Sequence, residues 1–259
     1  MSTSVITQEG MQKALSWAWD KSLNGIPGTG TAEELAESYL TENSSVENAI
    51  DELITWQCKK CGASGFMTGL GGLVTLPVAI PANISSVLYM QLRMIAAIAY
   101  MCHEDIHSDR VQTLAYLCLC GKAMGDVLKD AGIVCGEKFV AAQIKRLPGT
   151  VIKAINRAVG FRLITKFGSK GFINLGKLVP VIGGGIGGAF DFYTTKKIGG
   201  KAKETFYHTK YVHKNVAAYL VHARYAATFF FCYLHFKTVQ RNIFHTHFLS
   251  NRLRILKKS

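Results

Sequence analysis

The sequence predicts an all-α fold: a helical bundle with glycine-rich apolar helices, of a kind suited to membrane association. Three observations lead there. Apolar residues recur at steps of three and four between recognisable helix caps. From Gly65 to Met90 there is no charged residue. The glycine clusters sit in no βαβ period that would place them in a nucleotide-binding sheet. The composition, 49% hydrophobic against 18% charged over 259 residues, excludes chain-wide disorder. A core of this size buries roughly 70–75% of the unfolded chain's surface without a disulfide or metal. The 25 glycines follow no three-residue period, which excludes a collagen-like chain, and the seven cysteines are too unevenly spaced for a disulfide scaffold. The odd cysteine count fits a reducing compartment, and no basic-then-apolar leader opens the chain, so the expected location is the cytoplasm.

The net charge of +13 is unevenly distributed. Residues 1–57 hold nine acids and two bases, and 58–205 hold eight acids and nineteen bases. Residues 206–259 hold nine bases, no acid, no Gly and no Pro, with six of the eight His. The sequence therefore divides into an acidic helical N-terminal segment (1–57), an apolar basic helical core (58–205) and an atypical basic-aromatic tail (206–259).

In chain order, Met11, Leu15, Trp19 and Leu23 mark one face of a first helix that stops before the Asn24–Gly30 turn. Thr31 with Glu34 forms a capping box for a second helix carrying Leu35, Tyr39 and Leu40. Ser44 or Ser45 caps a third, through Val46, Ile50, Leu53 and Ile54. The acids of these helices are placed to lie against the basic core.

The run Gly69–Pro81, with Gly71, Gly72, Pro77 and Pro81, is too interrupted for a simple span, and its prolines suit a helix start better than a helix interior. The helix that begins near Pro81 and reaches Met101 carries Gln91 and Arg93 mid-helix. An arginine at a bilayer centre costs at least about 2.5 kcal/mol, so a lone span is disfavoured. A core helix of a bundle and a membrane-inserted or interfacial helix both remain open here.

His103-Glu104-Asp105-Ile106-His107 matches the H-E-x-x-H zinc-protease pattern, in which both His must share one face of a continuous helix. Its position after an apolar helix and before a Ser108-Asp109 cap favours an interhelical loop, so no metal is expected and the zinc-hydrolase reading on His103, Glu104 and His107 is the alternative. Cys58-Lys59-Lys60-Cys61 lacks a second ligand pair and reads as two helical cysteines. The G-x-G-x-x-G within Gly183–Gly188 lacks an acid some twenty residues on, so no cofactor is expected. The bases from Lys145 to Lys170 can track phosphates of lipid head groups or of nucleic acid, and the adjacent apolar helices favour lipid.

Pro180-Val181-Ile182 and Gly183–Asp191, followed by Ile198-Gly199, Ala202 and Phe206, resemble the C-terminal signature of the EcsC family. Gly71-Gly72-Leu73, Leu76-Pro77 and Ile80-Pro81, leading through Leu92-Arg93 and Ile98-Ala99 to Arg110–Thr113, resemble its other hallmark, and together they cover about residues 10–206. The chain departs from the family pattern at Val78-Ala79, where members often carry an acid, at Asp191, where they have Asn, and at the HEDIH segment, where they have a Tyr-Gly-x-Asp-like loop. The resemblance implies a helical bacterial protein linked to a transporter, secretion or membrane proteolysis, and implies no catalytic residue.

From the residues themselves, Gly183 and Gly187 are four apart and would line a smooth groove for a neighbouring backbone. Asp191 is expected to hydrogen-bond within the bundle or to pair with Arg93 or Lys177. The function expected is a non-enzymatic membrane-associated accessory protein at the inner face of the cell membrane. Its expected partners are a membrane surface or membrane protein, with anionic lipid as the head-group chemistry; a basic nucleic-acid binder is the second alternative and is disfavoured. The tail fits either an interfacial helix, with Tyr219, Leu220, Tyr225 and Phe229–Phe231 beside Arg224, Lys237 and Arg241, or a translated shifted reading frame.

Overall fold

The computed structural model describes residues 6–62, 82–136, 140–167 and 183–212. Nine α-helices and no strand occur among the described residues, so the all-α fold class holds. The helices are α1 (Gln8–Asn24), α2 (Ala32–Glu42), α3 (Val46–Gly62), α4 (Ala82–Met101), α5 (Asp109–Leu119), α6 (Met124–Asp130), α7 (Val140–Ile144), α8 (Gly149–Phe167) and α9 (Gly183–Ala202). After α9 the chain continues as a π-helical segment, Lys203–Val212. Gly71, Gly72, Pro77, Pro81 and Lys177, and the tail from residue 213, lie outside the described residues.

The local signals act as their chemistry dictates. Thr7 caps α1 by accepting from the Gly10 amide (3.1 Å). The Thr31–Glu34 capping box is complete: the Glu34 amide donates to Thr31 Oγ1 (3.0 Å), and the Thr31 amide donates to Glu34 Oε2 (2.9 Å). Ser45 rather than Ser44 caps α3, accepting from Asn48 N at 3.2 Å.

Helix α4 is the axis of the bundle. It packs against α1, α2, α3, α5 and α9, and α8 closes the ring between α5 and α1. Ile84–Met101 is long and apolar enough to cross a membrane by length and composition, with a mean hydropathy of 1.3, yet 89% of it is buried among its neighbours. It is a core helix. Leu88, Leu92, Ile95 and Ile98 are fully covered, each worth roughly 1.5–3 kcal/mol of burial.

Two close approaches let the ring tighten. A Cβ at Gly199 of α9 would lie 2.8 Å from the Ile54 side chain of α3, so that side chain packs directly on the α9 backbone. On α8, Gly160 faces the amides of Gln8 and Gln12, which donate to the carbonyls of Arg157 (2.8 Å) and Asn156 (2.7 Å).

The acidic lead-in does meet the basic core. Lys203 pairs with Asp51 (2.7 Å) and Glu47 (3.0 Å), and Tyr207 donates to Glu47 at 3.3 Å. Helix α3 runs unbroken across the composition change at residues 57/58. The first compact unit runs from Met1 to Lys210, five residues into the compositionally distinct tail, and includes the buried Phe206. A second unit comprises Tyr211–Ser259.

Arg93 occupies the middle of α4, 7% exposed. Its guanidinium donates to the carbonyls of Thr29 and Thr31 (3.2 Å for the latter) and so pins the α1–α2 turn to the bundle axis. Gly30, at φ +65°, gives that turn its left-handed residue and leaves no room for a side chain beside Glu34 and Arg93. Tyr89 adds a hydroxyl contact to Thr29 at 2.6 Å. Charge-assisted hydrogen bonds of this kind are worth about 1.5–3 kcal/mol. Arg93→Ala is expected to lower the unfolding free energy by about 2–3 kcal/mol in urea titration, with Arg93→Lys losing less; an unchanged midpoint would mean the turn is held by other contacts.

Candidate functional site

Four helix ends meet at one end of the bundle. Helix α3 runs antiparallel to α9, because Glu47 and Asp51 reach Lys203 while Ile54, further along α3, faces Gly199, earlier in α9. Helix α4 runs parallel to α9, because Gln91 Nε2 donates to Thr195 Oγ1 (3.3 Å) and the end of α4 is reached by Lys210. Helix α8 starts at the opposite end, where Lys145 pairs with Glu104 (2.7 Å) and Arg110 donates to the Leu147 carbonyl (3.4 Å). It finishes with Lys166, whose charge acts on Asp191. The C-termini of α3 and α8 and the N-termini of α4 and α9 therefore share one end. Residues 63–81 and 168–182, which connect those termini in sequence, both attach there.

The composition around this end is distinctive. Residues 63–81 carry no charge at all, and residues 157–190, which lead from the later part of α8 into α9, hold five Lys or Arg and no Asp or Glu. The α3–α9 register places Gly62 beside about residue 191, so that Gly183–Phe190 run past the end of α3 by about 12 Å at 1.5 Å per residue. That stretch contains Gly183 and Gly187, which are helical as expected.

Five large apolar residues are exposed among the described residues, and four lie near this end: Trp56 (46%), Phe161 (64%), Phe192 (39%) and Tyr193 (58%). Around them stand Lys59, Lys60, Arg162, Lys196 and Lys197. Lys59 lies over the Trp56 ring (5.2 Å to its centre) and Lys197 over Tyr193 (5.4 Å). Sequence reasoning missed all four apolar residues, because each interrupts rather than extends an apolar helical stripe. Inside the same half, Gln57, Ser85, Gln91 and Thr195 are buried polar residues of α3, α4 and α9. The Gln57 amide and Ser85 hydroxyl have no hydrogen-bond partner there.

Asp191 is on the inner face of α9, half-buried, and burial raises its carboxyl above the ordinary aspartate range while Lys166 opposes that shift. Lys166 is itself lowered, chiefly by burial. Of the two bases expected to pair with it, Arg93 is engaged with the α1–α2 turn and Lys177 lies outside the described residues; Lys166, which donates to the Leu119 carbonyl (3.4 Å), is a base whose charge acts on Asp191.

The HEDIH segment stands at the opposite end, in the interhelical connection expected for it. The Glu104 amide donates to the Ala99 carbonyl (3.0 Å) and the His103 amide to the Tyr100 carbonyl (2.7 Å). With His103 at φ 55°, this is a Schellman turn that terminates α4. His103 and His107 therefore share no helix face. Glu104 is paired with Lys145, and His107 lies 3.6 Å from Glu33. Lys210 donates to the carbonyls of Cys102 and His103, placing a cation at the negative end of the α4 dipole. Among the described residues no group of three His, Cys, Asp or Glu side chains is placed to hold a metal.

Cys58 is a buried residue of α3. Burial pushes the thiols of Cys102, Cys118 and Cys120 up to about 12, which makes them poor nucleophiles at neutral pH. Comparison with protein-family models, with curated proteins and with solved structures found no match to the chain.

Two outcomes follow from these geometries. His103→Gly is expected to stabilise the protein by about 0.5–1 kcal/mol, since glycine adopts the left-handed turn without a Cβ penalty; a loss of stability on thermal melting would point to a role for the imidazole that the turn does not require. For Asp191, the folded-state value lies above the unfolded one, so the buried carboxylate is a cost that is absent below the unfolded pKa and fully present above the folded one. Asp191→Asn is therefore expected to raise the melting temperature at neutral pH and to leave it unchanged near pH 3, with a lowered Tm at pH 7 counting against the burial argument.

Proposed function

We propose that the protein is a non-enzymatic, helical accessory protein that associates with a membrane through the end of the bundle where α3, α4, α8 and α9 meet. The observation that carries this reading is that the described helix ends flanking two glycine-rich apolar sequences, 63–81 and 168–182, meet where the exposed side chains are aromatic and basic. Aromatic rings and lysines are the residue types that favour the boundary between water and lipid, rings at head-group depth and ammonium groups reaching outward. The opposite end carries the polar HEDIH turn and its ion pairs, so the bundle is amphipathic along its length.

The EcsC-like signatures at Gly71–Pro81 and Pro180–Asp191 support the same reading, and with it a place at the cytoplasmic face of a bacterial membrane beside transport or secretion machinery. A zinc-dependent hydrolase has less support, because its motif closes a helix instead of lying along one. A nucleic-acid binder has less support too, because the bases adjoin a long uncharged apolar stretch, 63–81, that a phosphate backbone would not engage. Fractionation of cells making the full chain tests the proposal. The protein is expected in the membrane pellet and to stay there in high salt, since apolar contact is insensitive to screening. Recovery in the soluble fraction at low salt overturns it.

A further inference from the structure

We propose that the outer faces of α3 and α9, over the half nearest the converging helix ends, form a docking surface for anionic phospholipid. This inference rests on the membrane reading above and names the lipid chemistry that the same end selects.

The antiparallel register of α3 and α9 sets Trp56, Lys59 and Lys60 alongside Phe192, Tyr193, Lys196 and Lys197. On α9, Phe192, Tyr193, Lys196 and Lys197 are exposed, while Asp191, Thr195 and Ile198 turn toward the interior. Four lysines therefore stand on this half with no acid on the outer surface. The other half of the same two helices is compensated: Glu47, Asp51, Glu52 and Glu204 accompany Lys201 and Lys203, with Lys203 fixed between Glu47 and Asp51. The surface thus changes along its length from net acidic to cationic, and the cationic part is the part whose helix ends lead in sequence into the uncharged residues 63–81. None of Lys59, Lys60, Lys196 and Lys197 forms an ion pair with a described residue. Two of them lie over aromatic rings, which leaves their ammonium groups facing outward at the level of the rings.

Lipid phosphate complements this arrangement better than an acidic protein does. The exposed aromatic residues are spread over two helices, which suits shallow burial in a head-group layer, and a fluid layer of anions needs no fixed partner geometry. Each lysine held near an anionic surface favours binding by about fivefold.

The test uses the full-length protein in flotation assays with vesicles of phosphatidylcholine alone and with added phosphatidylglycerol. The anionic lipid is expected to tighten binding at least tenfold. Charge reversal of all four lysines (Lys59→Glu, Lys60→Glu, Lys196→Glu, Lys197→Glu) is expected to remove that gain while binding to phosphatidylcholine persists. A control reversing Lys122, Lys129, Arg146 and Lys153, four exposed bases elsewhere, changes the net charge equally and is expected to keep most of the preference. Far-UV circular dichroism melts confirm that both variants fold. Equal binding of the native chain to the two vesicle types overturns the lipid selectivity and leaves the membrane reading standing. Loss of the gain in both variants alike also overturns it, by assigning the effect to net charge. Failure of the native chain to bind either vesicle overturns both.

Discussion

A guanidinium inside the central helix is the constraint around which the bundle is arranged. Five helices cover α4, and a charge within it could be enclosed only if oxygen atoms came to meet it. An unpaired buried charge costs several kcal/mol. The Thr29 and Thr31 carbonyls supply those oxygens, on a turn that needs glycine at residue 30 to fold tightly enough over Arg93. That single attachment fixes where α1 ends and α2 begins relative to the axis. Helix α2 then follows α4 toward its C-terminus, where Tyr100 donates to Glu37 at 2.9 Å. Along the other side of the turn, Trp17 packs near Tyr89 and Trp19 meets Tyr116 of α5 edge-on. The ring can then close through α8 and α5.

The two ends of this bundle are finished by different chemistry. At the end holding the HEDIH turn, backbone carbonyls left over by α4 are met by Lys210, and polar side chains meet across loops: Glu104 with Lys145, Glu33 with His107. Water and ions suit that surface. At the end where α3, α4, α8 and α9 meet, bases outnumber acids among the described residues of those helices, and Asp191 is half-buried. The helix ends there lead into sequence that carries no charge over 63–81. The distribution of charge in three dimensions therefore differs from its distribution along the chain. The acidic N-terminal helices neutralise the far half of α3 and α9, and the surplus on the core is left concentrated at one end.

Much of the fold was legible before any coordinates, and the reason is local. Thr31 with Glu34 specifies a capping box whatever surrounds it, Ser108 and Asp109 mark a helix start, and the spacing from Ile84 to Ile98 can be satisfied only by a helix with a buried face. The loop at His103–His107 was legible for the same reason, since a polar run between two apolar helices has few other places to go. What could not be read was anything set by long-range register. Nothing adjacent in sequence links Asp191 to Lys166 or Arg93 to Thr29. The exposed aromatic residues were hidden for a related reason: Trp56 and Phe161 sit in amphipathic helices where an aromatic residue is normally assigned to the core, and only the packing of α3 on α9 and of α8 on α1 turns them outward. Gly183 and Gly187 are helical as their spacing suggested, while the close approach that the described structure displays is at Gly199.

These positions also bear on how a hydrophobic chain should be related to a membrane. The most apolar of the described helices, α4, is the natural candidate for insertion among them by hydropathy alone, and its side chains are already covered by five neighbours. Extracting it would expose Leu88, Leu92, Ile95 and Ile98 from protein contacts as favourable as any that lipid offers, and would strip Arg93 of its carbonyls. The reverse holds for Trp56, Phe161, Phe192 and Tyr193. They are exposed, they have bases beside them, and moving their rings into an interface removes apolar surface from water without breaking a helix contact. If the chain meets a membrane, the free-energy gain therefore lies with modest helices carrying a few misplaced aromatic residues, and the bundle around α4 can stay intact while they engage.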